Sequence, residues 1–145
     1  MNSNLILILW QPVYEYFDEI LEKIKKIGKI NFYKDIKIEN KDILKFIYKI
    51  YEKDSKFKKL CKNKLLEKKS KSLECKINII RIIDININNP TFTEKNSCHE
   101  IINFKKNIRY HYIKYTKDFN NIIHGCDNVI DSNNVRDIIK ILIPS

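Results

Sequence analysis

The run CKINIIRIIDININ, residues 75–88, constrains the fold more than any other part of the sequence. Its apolar residues are almost all isoleucine, and β-branched side chains favour extended backbone. We therefore expect it to form a long central β-strand. Three other segments have the apolar content or the alternation of strands: NLILILW at 4–10, KINFYKDIKI at 29–38 and NNIIHG at 120–125.

The segments between these strands have apolar residues at helical spacing. They predict a helix at 13–27 that starts after Pro12 and stops at Gly28, short helices at 40–51 and 57–65, a weaker helix at 101–112, and a closing helix at 135–142 that is started by Asp131 or Ser132. Without the insertions, the order is βαββαβ. It predicts an α+β, ferredoxin-like fold, in which a four-stranded antiparallel sheet has its helices packed on one face. We expect residues 1–145 to form one such domain.

The formal net charge of +10 comes from 25 lysines and 3 arginines, against 18 acidic residues. Lysine, isoleucine and asparagine are all abundant, as they are in the products of AT-rich coding sequences whatever their function. We therefore assign most lysines to the solvated surface and do not expect nucleic acid as the main partner, although the basic charge keeps that alternative open. The arginines are more informative, because a guanidinium fork binds phosphate in a way that an ammonium group does not; they are Arg81, Arg109 and Arg136.

The cysteines of the chain form no CxxC pair. Neither a disulfide framework nor a zinc ribbon is indicated, so we expect reduced thiols, no metal bound by the protein alone and a cytoplasmic location. The apolar start of the sequence is too short to span a membrane and lacks the basic region and cleavage site of a signal peptide. We therefore expect no membrane association.

The segment NNIIHGCDN at 120–128 contains histidine, cysteine and aspartate, residue types that often act in catalysis. With Asn121, His124, Gly125 and Asp127, it resembles the active-site motif N-x-x-H-G-S-D of the nucleoside diphosphate kinases. That family has a ferredoxin-like fold at about this chain length. The resemblance implies that His124 is the nucleophile, that Asn121 supplies a neutral donor beside it, and that nucleoside tri- and diphosphates are the ligands.

Weaker likenesses extend along the chain. ILKFIYKIYEKDSKF resembles the family's LLKxxYxxLKxxPFF stretch, which implies that Tyr48 contacts phosphate and that Phe57 stacks on the base. The NNP run that begins at Asn88 resembles the family's TNP, and NIRYHY resembles TIRGDF. The second likeness makes Arg109 the phosphate-contacting arginine.

The resemblance implies a two-step transfer through a phosphohistidine. A neutral imidazole nitrogen of His124 takes the terminal phosphoryl group of a triphosphate and then passes it to a diphosphate. The imidazole must be unprotonated near neutral pH and held in one tautomer. Arg109, together with Mg²⁺ on the nucleotide, would stabilise the charge of the phosphoryl oxygens. Members of the family assemble into hexamers, so a homo-oligomer is also implied.

Three departures from the family pattern weaken the inference of catalysis. Gln11 stands before Pro12 where the family has lysine, and a neutral amide cannot offset phosphate charge. Cys126 replaces the serine that follows the glycine, and a thiol is a weak hydrogen-bond donor. The glutamate with which the family orients its histidine has Asp137 as its candidate here, with a shorter side chain. These departures predict a diverged protein in which the reaction is slow or absent.

Two functions of different class therefore stay open. One is a phosphotransferase or nucleotide binder with His124 in its phosphate pocket. The other is an inactive relative that keeps the fold and binds a protein or nucleic acid through its basic surface. Purely structural roles also compete: His124 as the end of a strand, and Tyr48 and Phe57 as core residues. A further alternative makes Cys126 a reactive thiol activated by the nearby imidazole.

Overall fold

The computed structural model describes residues 4–52, 77–116, 122–126 and 128–142. Within them, one antiparallel sheet contains four strands in the order β2–β3–β1–β4. The strands are β1 (Asn4–Leu9), β2 (Gly28–Glu39), β3 (Ile77–Ile87) and β4 (Ile123–Cys126). The α-helices are α1 (Phe17–Ile24), α2 (Asn40–Glu52), α3 (His99–Thr116) and α4 (Val129–Leu142), and a 3₁₀ helix over Gln11–Tyr16 precedes α1.

The central strand β1 is buried on both faces of the sheet. Successive side chains of a strand point to opposite sides. The leucines of β1 meet α1 and α3 on what we name the first face, and Ile6 and Ile8 meet α2 and α4 on the second face. Every residue from Leu5 to Leu9 is 0% exposed. An apolar strand of this kind is stable only if a layer of helices covers each face.

The predicted α+β, ferredoxin-like sheet is confirmed, including its antiparallel pairing and the central position of the isoleucine-rich strand. The helices, however, cover both faces of the sheet rather than one. The physical reason is that β1 is apolar on both sides and β3 has isoleucines on both sides, so each face of the sheet has apolar side chains that must be buried.

Several helix boundaries differ from the prediction. The first helical segment starts as the 3₁₀ helix, with Pro12 in its first turn. The last helix starts at Val129 because Asn128 caps it: the Asn128 Oδ1 accepts from the Asp131 N–H at 2.8 Å, and the Asn128 amide donates to the Asp131 carboxylate at 2.8 Å. The helix predicted at 57–65 lies outside the described residues.

Arg81 and Arg136 form ion pairs within the fold. The Arg81 side chain donates to both Asp35 oxygens, at 2.7 and 2.9 Å, and to Asp18 at 2.7 Å. The Arg136 Nε donates to Asp84 at 3.0 Å. Because a bidentate Arg–carboxylate pair needs the planar guanidinium fork, lysine could not replace Arg81 without losing a bond.

Candidate active site

The motif histidine lies on β4, the short strand at one edge of the sheet. In the register with β1, His124 is opposite Ile8 and Cys126 is opposite Ile6. Both side chains therefore lie on the second face, the side of α2 and α4. Gly125 is opposite Leu7 and lies on the first face, the side of α1 and α3. The strand alternation thus separates the histidine of the motif from its glycine.

Among the described side chains, Tyr51 and Cys126 contact the imidazole of His124. It is 7% exposed. The ring of Tyr51 on α2 meets it edge-on, with ring centroids 4.7 Å apart and planes at 65°. The Cys126 Sγ lies 3.7 Å from the His124 Nε2, within hydrogen-bond range for sulfur. The ring is therefore fixed in place by an aromatic contact and by a thiol.

Two basic side chains of α3 cover the outer edge of β4. The backbone N–H of Trp10 donates to the Ile122 carbonyl, which therefore points towards β1. Carbonyls alternate in direction along a strand, so those of Ile123 and Gly125 point away from β1. Lys105 donates to the Gly125 carbonyl and Arg109 to the Ile123 carbonyl, each at 2.9 Å. Residues four apart rise about 6 Å along a helix, and residues two apart span about 6.8 Å along a strand. This match of spacings lets two successive side chains bind two successive carbonyls.

Arg109 is a charged group in largely desolvated surroundings. Burial lowers the pKa of Arg109, while the Tyr51 hydroxyl raises that pKa to a smaller extent. A guanidinium nevertheless keeps its charge at neutral pH. Arg109 thus places a cation near the same tyrosine that contacts His124, where attraction to an anion is stronger than it is in water.

Gly125 is required by the close approach of α3 to β4. A Cβ at this position would lie 2.7 Å from the Lys105 Cδ, 3.0 Å from the Leu7 Cδ2 and 3.1 Å from the Ile101 Cγ2. Close packing against α3 therefore explains why this position of the motif is glycine. The absence of a side chain also leaves room for the hydrogen bond from Lys105. Its backbone is not in the left-handed region.

Two other predicted site residues have different surroundings from those that the family resemblance implies. The Gln11 Oε1 accepts a hydrogen bond from the Ile79 N–H at 2.5 Å, so Gln11 pairs with the start of β3. Asp137 is on the exposed side of α4. It makes no hydrogen bond with the buried His124, and the structure does not bring the two together.

Tyr48 and Asn88 also lie apart from His124. Tyr48 is 42% exposed, whereas Tyr51, one helical turn later on α2, is 5% exposed and meets the imidazole. Asn88 follows β3 at the opposite end of the sheet. It comes six residues after Ile82, the β3 residue paired with Ile8, and six residues of strand span about 20 Å. Asn121, Phe57 and Asp127 lie outside the described residues.

Sequence reasoning missed Tyr51 and Lys105. Tyr51 is one of the residues at helical spacing that predict the helix at 40–51, and nothing else in the sequence distinguishes it. Lys105 is one of 25 lysines, and it stands out only through its i, i+4 spacing to Arg109. The structure therefore groups around β4 three residues that the sequence singled out for the site, His124, Cys126 and Arg109, together with these two.

The described residues contain no group of three or more His, Cys, Asp or Glu side chains able to hold a metal ion. In the same part of the chain, no helix is both long and apolar enough to cross a membrane.

The comparisons with known proteins support the fold and no closer relationship. No protein-family model matches the chain, and no curated protein matches its sequence. Among solved structures, the chain is similar to a nucleoside diphosphate kinase from Aquifex aeolicus, with a TM-score of 0.53 and 11% sequence identity over 96% of this chain and 95% of that one. The likeness is one of fold: this chain has a nucleoside diphosphate kinase-like, ferredoxin-type architecture.

Proposed function

We propose that this protein binds a nucleoside triphosphate beside β4 and that His124 accepts its terminal phosphoryl group. The observation that supports this function is that Arg109 of α3 donates to the carbonyl of Ile123, the residue before His124 on β4, while Tyr51 lies close to both side chains. An imidazole beside a guanidinium is the minimal pair for taking up a phosphoryl group. The imidazole supplies the nucleophile, and the cation stabilises the developing negative charge.

The proposed reaction has two steps. A lone pair of the neutral His124 ring attacks the terminal phosphorus, the P–N bond forms, and the bond to the bridging oxygen breaks to release the diphosphate. A second diphosphate then reverses these bond changes and leaves as a triphosphate. Arg109 and Lys105 act as cations near the transferred group, while Tyr51 keeps the ring in position.

A second candidate is an inactive module that keeps the fold and binds a protein or nucleic acid through its basic surface. Gln11 favours it, because its side chain is engaged with the backbone of β3 at the position where the resemblance implies a phosphate-binding lysine. The outward position of Asp137 favours it as well. For either candidate we also propose self-association, which light scattering tests directly.

Incubation of the purified protein with γ-labelled ATP and Mg²⁺ separates the two candidates. We expect an acid-labile, base-stable label that is lost in His124→Ala. His111→Ala is the matched control, because His111 is an exposed histidine of α3 and should leave the label unchanged. The circular dichroism spectra of both variants establish that they are folded. If the wild-type protein acquires no label and ATP does not raise its melting temperature, the phosphoryl-transfer proposal is wrong and the inactive module is favoured.

A further inference from the structure

A β-bulge in β2 turns an aromatic side chain to the second face of the sheet. The pairing of β2 with β3 shifts between Ile30 and Phe32, so Asn31 is an extra residue. Phe32 is opposite Asp84, which in turn is opposite Ile6 of the second face, and directly opposite residues share a face. Simple alternation would instead put Phe32 beside Ile30 on the first face. The bulge has therefore re-aimed the ring.

Phe32 lies on a corner of the second face that the described helices leave open. α2 packs on Ile36 and Ile38 further along β2, and α4 packs on the isoleucines of β1. Phe32 is 53% exposed, and residues 31–35 are all exposed. The sheet thus presents one face of an aromatic ring to solvent, where a second planar group can stack on it.

Beside Phe32, a chain of hydrogen bonds holds two side-chain amides in place. The Asn31 Nδ2 donates to the Asp84 Oδ1 at 2.9 Å, the Arg136 Nε donates to the Asp84 Oδ2 at 3.0 Å, and the Asn86 Nδ2 donates to the Asn31 Oδ1 at 3.4 Å. An amide has two N–H groups and an oxygen with two lone pairs. These bonds use one N–H of each amide and one lone pair of Asn31. Both amides therefore retain groups that can bind the edge of a base.

The charges on this corner favour an anion. Lys29 and Lys34 are exposed and pair with β3 residues of the second face, so they share the face of Phe32. They are about 10 Å and 7 Å from it along the strand. Among the described residues on this face of β2 and β3, the one carboxylate is Asp84, which forms an ion pair with Arg136. A cation thus lies on each side of the ring, as phosphates lie on each side of a base in a single strand.

We propose that this corner binds single-stranded nucleic acid. An unpaired base stacks on Phe32, its edge bonds to Asn31 and Asn86, and Lys29 and Lys34 bind the adjacent phosphates. RNA and DNA share this chemistry, and stacking requires no particular base because every base has a π-face. The inference goes beyond the proposed function: β2 is three strand spacings, about 14 Å, from β4, and none of the groups around β4 takes part.

Fluorescence anisotropy with labelled oligouridylate and oligothymidylate tests the stacking. We expect Phe32→Ala to weaken binding about five- to 150-fold, the usual effect of losing one stacked base. Phe32→Leu, which keeps the apolar bulk, should weaken it in the same direction. Tyr33→Ala is the matched control, because Tyr33 is 50% exposed but points to the first face, opposite Ile83. Circular dichroism establishes that each variant is folded.

The outcomes of this titration are distinct. Binding of either oligonucleotide that depends on Phe32 supports the proposal, and a preference for one of them identifies the sugar. The proposal is overturned if the wild-type protein binds neither, if the Phe32 variants bind as tightly as the wild type, or if Tyr33→Ala loses as much affinity as Phe32→Ala.

The salt dependence of binding tests the two lysines. Each contact with a single-strand phosphate contributes about 0.7 to the slope of log Kobs against log salt concentration, so the Lys29→Gln/Lys34→Gln variant should have a slope shallower by about 1.4. Lys26→Gln/Lys37→Gln is the control: it loses the same charge at exposed positions before β2 and on the first face, and should keep the wild-type slope. Equal slopes for the two variants would show attraction to the basic surface in general and would overturn the proposal.

Excess ATP with Mg²⁺ separates this inference from the proposed function. We expect the oligonucleotide to stay bound, because the two ligands occupy different places. Displacement by ATP would put the oligonucleotide beside β4 and refute the present inference alone. Oligonucleotide binding at Phe32 by a protein that acquires no phosphohistidine label would refute the proposed function alone.

Discussion

At the scale of single residues, Gln11 serves the backbone rather than a ligand. Its side-chain oxygen accepts from the Ile79 N–H, which lies just beyond the last residue pair of β1 and β3, Leu9 and Arg81. The side-chain oxygen of Gln11 thus takes the place of the backbone acceptor that would bind the Ile79 N–H if the β1–β3 ladder continued. A lysine, which has no acceptor, cannot do this.

We therefore expect Gln11→Lys to destabilise the protein. The substitution leaves the Ile79 N–H without its acceptor, which costs about 1–3 kcal/mol in the free energy of unfolding. Gln11→Glu is the matched control, because it keeps an oxygen at the same reach. Urea denaturation of the three proteins measures the difference. Equal stability of Gln11→Lys and the wild-type protein would show that the hydrogen bond contributes nothing.

At the scale of elements, β4 depends on its neighbours because four residues form few ladder bonds. α3 covers its outer edge, and α4 closes its end through Ser132. The Ser132 hydroxyl accepts from the Ile6 N–H at 3.1 Å and donates to the carbonyl of Cys126, the residue opposite Ile6. One side chain thus links the ends of two strands, and it is 0% exposed.

Ser132→Ala should weaken the end of the β1–β4 pair. Removal of the hydroxyl takes an acceptor from the buried Ile6 N–H and a donor from the Cys126 carbonyl, so the free energy of unfolding should fall by about 1 kcal/mol. Hydrogen exchange measured by NMR should show a faster rate for the Ile6 amide than in the wild-type protein. The Ile83 amide is on β3, on the other side of β1 from β4, and its exchange rate should change only as far as the global stability changes. Unchanged exchange at Ile6 would contradict the structural role of Ser132.

At the scale of the whole molecule, two hydrophobic cores lie on the two faces of the sheet. The core on the first face contains a polar group that makes folding depend on pH. Tyr112 is 0% exposed, and its hydroxyl donates to the Glu19 carboxylate at 2.6 Å, which joins α3 to α1. Burial first, and the Glu19 carboxylate second, raise the pKa of Tyr112 above its ordinary value of 10.0.

This shift predicts a loss of stability at alkaline pH. The folded state favours the neutral phenol, so its contribution is complete below the unfolded pKa near 10 and is lost as the pH rises through the raised value. Thermal melts between pH 8 and 11 should show a steeper fall for the wild-type protein than for Tyr112→Phe. Tyr110→Phe, at a tyrosine that is 64% exposed, should follow the wild type. Parallel curves for wild type and Tyr112→Phe would contradict the prediction.

The order of strands and helices was predictable because it depends on local periodicity. The continuous apolar run of β1, the isoleucine-rich β3 and the apolar stripe of α2 are properties of adjacent residues, and they indicated the ferredoxin-like arrangement. His124 followed from the motif in the same way. The cap at Asn128 was missed, although the Asn–Asp spacing that forms it is visible in the sequence.

The surroundings of His124 depended on tertiary structure. The two-residue spacing on one strand already indicated Cys126 near the ring, as the structure shows. The sequence also indicated Tyr48 on α2 and the carboxylate at Asp137, whereas the structure brings Tyr51 to the ring. Which turn of a helix meets a strand depends on strand register and on how the helix packs across the sheet, and these are set by contacts between residues far apart in the chain. Local periodicity by itself therefore determined the elements and their order, and only their packing decided which side chains share the neighbourhood of the imidazole.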